Sequence, residues 1–100
     1  MDVFDKEKVV RFLTAVGDPA RLEIIILLKK RGRLNVGQIA SNFELSRPAI
    51  SHHLGVLKNA GVLLSKKEGQ ETFYQLDQKT TAATLRDLAD LVETARSEAS

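Results

Sequence analysis

The stretch from Asn35 to Gly61, NVGQIASNFELSRPAISHHLGVLKNAG, limits the possible folds more than any other part of the chain. It reads as two helices joined by a tight turn. Asn35 and Gln38 have the spacing of a capping box, opening a short helix that buries Ile39, Ala40 and Phe43. Glu44-Leu45 makes the turn, with Leu45 tucked inward. Ser46 then caps the second helix, Pro48 is tolerable in its first turn, and Ala60-Gly61 stops it.

The elements around this pair follow from local spacing. Val9, Phe12, Leu13 and Val16 recur at i, i+3, i+4 and i+7, an amphipathic helix from about Asp5 to Val16 that Gly17 ends. Asp18-Pro19 opens the next helix as N-cap and first residue. The run Leu22 to Leu28, LEIIILL, would suit a buried strand on its own. The Asp-Pro start and the Lys29-Lys30-Arg31-Gly32 finish predict a buried helix instead, with cations at its negative end. Beyond Gly61 the period changes to two. Val62, Leu64 and Lys66 alternate with Leu63, Ser65 and Lys67, and after Glu68-Gly69-Gln70 the chain returns through Thr72 to Leu76. This is a β-hairpin with a polar tip. Asp77 caps a last helix, 78–97, of about 20 residues and roughly 30 Å. The expected fold is mainly α with a small β-hairpin, one domain over 1–100 with five helices and two strands.

Composition narrows the class. One hundred residues, 43% of them hydrophobic, make a single compact domain that a subunit interface would help. The absence of Cys excludes disulfides, thiol redox sensing and thiolate metal sites. No apolar run approaches the roughly 18–20 residues that cross a bilayer, and MDVFDKEK carries no signal peptide, so a cytoplasmic protein without a membrane partner is expected. The net charge of +2 hides an asymmetry. Residues 29–70 carry eight Lys/Arg against two Asp/Glu, residues 1–28 four against five, and residues 71–100 three against six. A basic middle between acidic flanks suits a polyanion or an ordinary solvated surface equally well.

The helical wheel of 46–61 favours the polyanion. Ile50, Leu54 and Leu57 gather on one side with His53 at the margin. The other side presents Pro48, Ser51, His52, Gly55 and Asn59, with Arg47 and Lys58 on the shoulder. That face carries no acid, whereas an ordinary exposed face would carry Glu as well as Lys. Ser, His and Arg bond base edges or phosphates, and Pro48 and Ala49 could meet thymine methyls. Double-stranded DNA is therefore the expected partner, contacted through Ser46, Arg47, Pro48, Ala49, Ser51, His52 and Lys58. His53, beside Leu54, is expected to be structural. On the last helix Leu85, Leu88, Leu91, Val92 and Ala95 form a stripe opposite Asp87, Asp90, Glu93 and Thr94. A small domain has little core to cover such a face, so a homodimer is expected, with Val9, Phe12 and Leu13 contributing.

Three segments, GDPARLEIIILL, LNVGQIASNFELSRPAISHHLGVLKNAGVL and KKEGQETFYQLD, resemble successive segments of the ArsR/SmtB-type bacterial transcriptional repressors. The resemblance runs from about Leu13 to Leu76. It implies a winged helix-turn-helix homodimer that binds operator DNA, with the outer helices, about 5–16 and 78–97, forming the interface. Arg47, Pro48, Ser51 and His52 then fall at groove-facing positions of the helix pair 35–61, and the hairpin 62–76, around Lys66, Lys67 and Gln70, becomes the wing. This chain also departs from the pattern. Many metal-sensing members hold a Cys-Val-Cys triplet where Asn35-Val36-Gly37 stands, and others place Asp and His ligands on the last helix, where residues 78–100 contain no His. Gly55 replaces a basic residue often found there.

Neither a metal nor a cofactor is expected. His52 and His53 project about 100° apart and make a poor chelate. No catalytic motif is present, and Ser51 beside His52 is a pair of sequence neighbours, not a triad. The expected function is a sequence-specific transcriptional regulator, a homodimeric repressor on a palindromic operator. The alternative is a winged helix that holds a protein partner with the same faces. The switch is left to an organic ligand, a partner protein or control of the chain's own concentration.

Overall fold

The structure is a computed structural model and describes residues 4–94. Helix α1 spans Lys6–Val16 and α2 spans Pro19–Arg31. The Asp5 carboxylate accepts from the Lys8 N–H and the Asp18 carboxylate from the Arg21 N–H, each at 3.0 Å, so both helices begin where the sequence places an acid. Gly32 stops α2 at φ 87°, a left-handed conformation that glycine alone adopts without strain, and its N–H donates to the Leu28 carbonyl. The Ile-rich run is helical, but it is not buried all round. Ile24 and Leu28 face the core, while Leu22 and Ile26 on the opposite side are 48% and 47% exposed.

The helix pair consists of α3, Val36–Ala40, and α4, Arg47–Asn59. The capping box at Asn35 is complete: its side chain accepts from the Gln38 N–H, and the Gln38 side chain accepts from the Asn35 N–H. Ser46 caps α4 by accepting from the Ala49 N–H at 3.2 Å. The connection differs from expectation at one point. Phe43 packs against the core cluster, while Leu45 is 41% exposed rather than tucked inward. Phe43 takes the apolar place that the turn offers, and Leu45 is left outside.

Strands β1 (Leu34–Asn35), β2 (Leu63–Glu68) and β3 (Glu71–Leu76) form an antiparallel sheet in the order β1-β3-β2. The hairpin pairs Leu63 with Leu76 and Glu68 with Glu71, leaving Gly69-Gln70 as a two-residue turn. Gly69 has φ 65° and no non-glycine residue described has positive φ, the pattern of a type II′ turn with glycine first. The third strand adds to the expected two. β1 pairs Leu34 with Tyr74 and Asn35 with Phe73, and two residues are too short to show a period. Helix α5, Gln78–Glu93, follows the Asp77 cap, and the predicted residues 95–97 of this helix lie outside those described.

The core draws on every layer. Phe12 and Ala15 of α1, Ile24 and Leu28 of α2, Leu34, Ile39, and Val62 with Leu63 surround Ile50, Leu54 and Leu57 of α4. Those three α4 side chains are wholly buried, so the orientation of α4 is set by packing. Leu54→Ala should therefore lower stability by about 3 kcal/mol, measured by urea denaturation. A loss below about 1 kcal/mol would mean that the site collapses around the cavity and that α4 is held less tightly than its burial implies.

Candidate nucleic-acid interface

The outer face of α4 is assembled by the packing of its inner one. With Ile50, Leu54 and Leu57 inside, Arg47, Pro48, Ser51, His52, Lys58 and Asn59 are all exposed, and Ala49 is half-buried. No acid stands among them. A Cβ built on Gly55 meets nothing within 4 Å, so the fold itself does not require glycine there. Arg47 leans back over the first turn of α3: a Cβ on Gly37 would lie 3.9 Å from each of its terminal nitrogens. The guanidinium thus sits beside α3, at the junction of the two helices, at a distance that a Cβ at Gly37 would not disturb.

Behind this face lies a contact that no local pattern foretells. Arg21, in the first turn of α2, donates from Nε to the Ala15 carbonyl at 2.7 Å and from a terminal nitrogen to the Thr14 carbonyl at 3.5 Å. These are carbonyls of the last turn of α1, which has no cation of its own. Its other terminal nitrogen meets His53 Nδ1 at 3.1 Å. An arginine only donates, so Nδ1 accepts. His53 is half-buried and faces the protein, while His52 points outward, the two ring centroids 5.9 Å apart and tilted by 55°. Asp18, at the head of α2, is held below the ordinary carboxylate range, first by the Arg21 N–H that it accepts.

The wing is pinned close to its tip. Successive side chains of β2 alternate faces, so Leu63, Ser65 and Lys67 share the core side, on which α4 packs, and Leu64, Lys66 and Glu68 the outer side. On that outer side the Arg33 guanidinium lies 4.1 Å above the Phe73 ring and pairs with Glu68 at 2.5 Å, with Lys66 Nζ at 3.9 Å from the same carboxylate. Asn35 Nδ2 donates to Glu71. Both acids of the hairpin therefore have partners. Lys67 and Gln70 are exposed, and among the described residues neither takes part in an ion pair.

Asn35 is thus at once the cap of α3, a residue of β1 and a tie to β3. Among the described residues no group of three or more His, Cys, Asp or Glu could hold a metal ion. Nor is any helix among them long and apolar enough to cross a membrane.

The outer helices α1 and α5 touch each other and leave apolar surface outside. Leu13, Leu85 and Leu91 are about half exposed and Val92 is 76% exposed, with Val10 and Phe4 adding to them. Leu88 is half-buried, and Ala95 lies outside the described residues. Val9 and Phe12 need correction as interface residues. They are 5% and 3% exposed within one chain, and Phe12 belongs to the core cluster, so almost nothing of them is left for a partner.

Residues 18–65 match the family model described as "Bacterial regulatory protein, arsR family". The chain is 41% identical over 70 residues to an uncharacterized HTH-type transcriptional regulator, MJ1325, of Methanocaldococcus jannaschii, covering 70% of this chain and 79% of that one. It is 44% identical over 63 residues to the transcriptional repressor SdpR of Bacillus subtilis, covering 63% and 69%. Among solved structures, a possible transcriptional regulator for arsenical resistance superposes with a TM-score of 0.73 at 35% identity, over 85% of this chain and 86% of that one. HlyU from Vibrio cholerae superposes with a TM-score of 0.68 at 32% identity, over 90% and 96%.

The Arg33 hydrogen bond holds the Glu68 carboxyl below its ordinary value. A carboxylate with a lowered folded pKa contributes above its unfolded value and loses that contribution as pH falls through the folded one, so the pin is present at neutral pH and released by acid. NMR titration of the Glu68 side chain should show protonation at higher pH in Arg33→Ala than in the wild type. Coincident curves would rule out the pin. Asn35→Ala should cost about 1 kcal/mol of stability by removing the cap of α3, read by thermal melting.

Proposed function

The chain belongs to the arsR family of bacterial regulatory proteins and is a DNA-binding transcriptional regulator, and from that premise we propose that it acts as a homodimeric repressor on a palindromic operator. The observation that carries this reading is the acid-free outer face of α4, presented by a helix whose inner face is wholly buried. Arg47, Ser51 and His52 read base edges in the major groove, and Pro48 and Ala49 supply apolar contact. Lys58, Lys67 and the start of α4 at Ser46 contact phosphates, with Lys66 and Gln70 of the wing beside them. Of the two wing lysines Lys67 carries more, since Lys66 shares Glu68 with Arg33.

The dimer forms through Leu13, Leu85, Leu88, Leu91 and Val92, joined by Val10. These side chains leave an apolar surface that a second copy of α1 and α5 covers. Two-fold symmetry sets the two α4 helices about one DNA turn apart, which is why the operator is palindromic. Repression follows when the bound dimer occludes a promoter. The protein works in the cytoplasm, by binding and not by catalysis, and it senses no metal at Asn35 and Gly37, because an amide and a glycine replace the thiolates that such a site needs.

Selection of bound fragments from genomic DNA, followed by titration of the selected site, tests this. Arg47→Ala and His52→Ala should each relax preference at one base position and cost about 1–3 kcal/mol. Unchanged affinity and unchanged preference in both variants would falsify the assignment. Lys67→Ala should weaken all sequences alike and reduce the salt slope by about 1. Leu91→Glu should shift sedimentation from dimer to monomer, and a wild type that is monomeric at the same concentration would remove the dimer from the mechanism.

A further inference from the structure

Arg21 does more than cap α1. It bonds at one end to the last carbonyls of the outer helix α1 and at the other to His53, in the middle of α4. One guanidinium therefore connects a helix of the proposed dimer interface to the helix that reads DNA, through a hydrogen bond that exists only while His53 Nδ1 keeps its lone pair. We propose that Arg21 and His53 form a proton-sensitive latch that positions α4, closed when the imidazole is neutral and opened when a proton reaches Nδ1. The proposal rests on α4 being the DNA-reading helix.

Protonation turns the acceptor into a donor and sets a second cation 3.1 Å from the guanidinium. The guanidinium cannot yield, because arginine stays charged at every physiological pH. Nor can it swing away freely, since its Nε remains on the Ala15 carbonyl. The strain falls on α4. The groups around His53 come from three helices. From α1, the groups at the site are the neutral carbonyls of Thr14 and Ala15. From α2 come Arg21 itself and Asp18, a carboxylate that accepts the Arg21 backbone N–H and also attracts a charged His53, so it offsets part of the repulsion without replacing the lost acceptor. From α4 there is His52, exposed, with its ring 5.9 Å away. Among the described residues no hydrogen bond or ion pair joins His53 to α3 or β2, the other elements packed against α4. Histidine is the side-chain type whose ordinary charge change falls nearest neutral pH, which is why acidification is the perturbation to apply.

The two histidines pull in opposite directions. A proton on exposed His52 adds a cation to the face offered to phosphates, whereas a proton on His53 loosens the helix that carries that face. The variants must therefore separate them. Asn places its Oδ1 where histidine has Nδ1, so His53→Asn keeps an acceptor for Arg21 that cannot be protonated in this range. The operator is selected with the full-length wild type at about pH 8, and affinities are then measured at about pH 8 and about pH 5.5. The wild type should lose about tenfold more affinity on acidification than His53→Asn, and His52→Asn should keep that extra loss. Arg21→Gln should bind more weakly at both values, with no extra acid loss. Parallel pH profiles for the wild type and His53→Asn, or an acid loss abolished by His52→Asn, overturn the latch.

A second measurement does not depend on DNA. Long-range proton–nitrogen spectra of the imidazoles in the free protein should show His53 solely with its neutral-form proton on Nε2, and a mixture of tautomers in Arg21→Gln. A proton on Nδ1 in the wild type at about pH 8, or the same tautomers in both proteins, also overturns it. If the wild type shows no sequence-preferring DNA binding, the DNA reading fails and the spectra alone decide the latch. If His53→Asn does not fold, the wild type, Arg21→Gln and the spectra still decide it.

Discussion

Burial of Ile50, Leu54 and Leu57 is the interaction on which the rest of the molecule depends. Each such side chain contributes about 1.5–3 kcal/mol when taken fully from water. Their energetic value matters less than their geometry. Spaced four and three residues apart along α4, they allow one rotation of that helix about its axis, and that rotation determines which residues face away. α1, α2, β1, β2 and α3 each supply side chains to the cluster around them. The surface offered to a groove is thus a consequence of the core.

Electrostatics then sorts the surface. The hairpin contains two acids close to its tip, and each is engaged by a residue of the segment that leads into α3, Glu68 by Arg33 and Glu71 by Asn35. Free carboxylates in those places would repel a phosphate backbone. Arg33 also rests on the Phe73 ring, so one side chain braces the hairpin mechanically and offsets its charge. Asn35 performs a comparable double function for α3 and β3. The wing and the helix pair are consequently fastened to each other at Asn35.

What was legible in the sequence and what was not divides along a physical line. Helix starts were legible because Asp5, Asp18, Asn35, Ser46 and Asp77 each act on the N–H three residues on, within the span that a sequence displays. The inner and outer faces of α4 were legible for the same reason, since a helical period is local. Three features were not. Arg21 reaches His53 across 32 residues, Asn35 reaches Glu71 across 36, and β1 is a strand only because β3 lies beside it. The exposure of Leu45 belongs with them, because Phe43 took the apolar place and nothing near Leu45 in sequence announces that. Val9 and Phe12 show the converse error. Their spacing identified a buried face correctly, but spacing cannot say whether a face is buried by its own chain or by another.

Gly55 is half-buried in the middle of a helix, where glycine is unfavourable by about 1 kcal/mol relative to alanine, and the space in front of its missing side chain is empty. Nothing in the packing asks for it. A side chain there would strengthen the helix and stand between the helix and whatever approaches it. The chain therefore gives up local stability to keep a bare stretch of backbone on its outer surface. Tightness of grip and robustness of fold are separable at this one residue, and a single substitution could alter the first while improving the second.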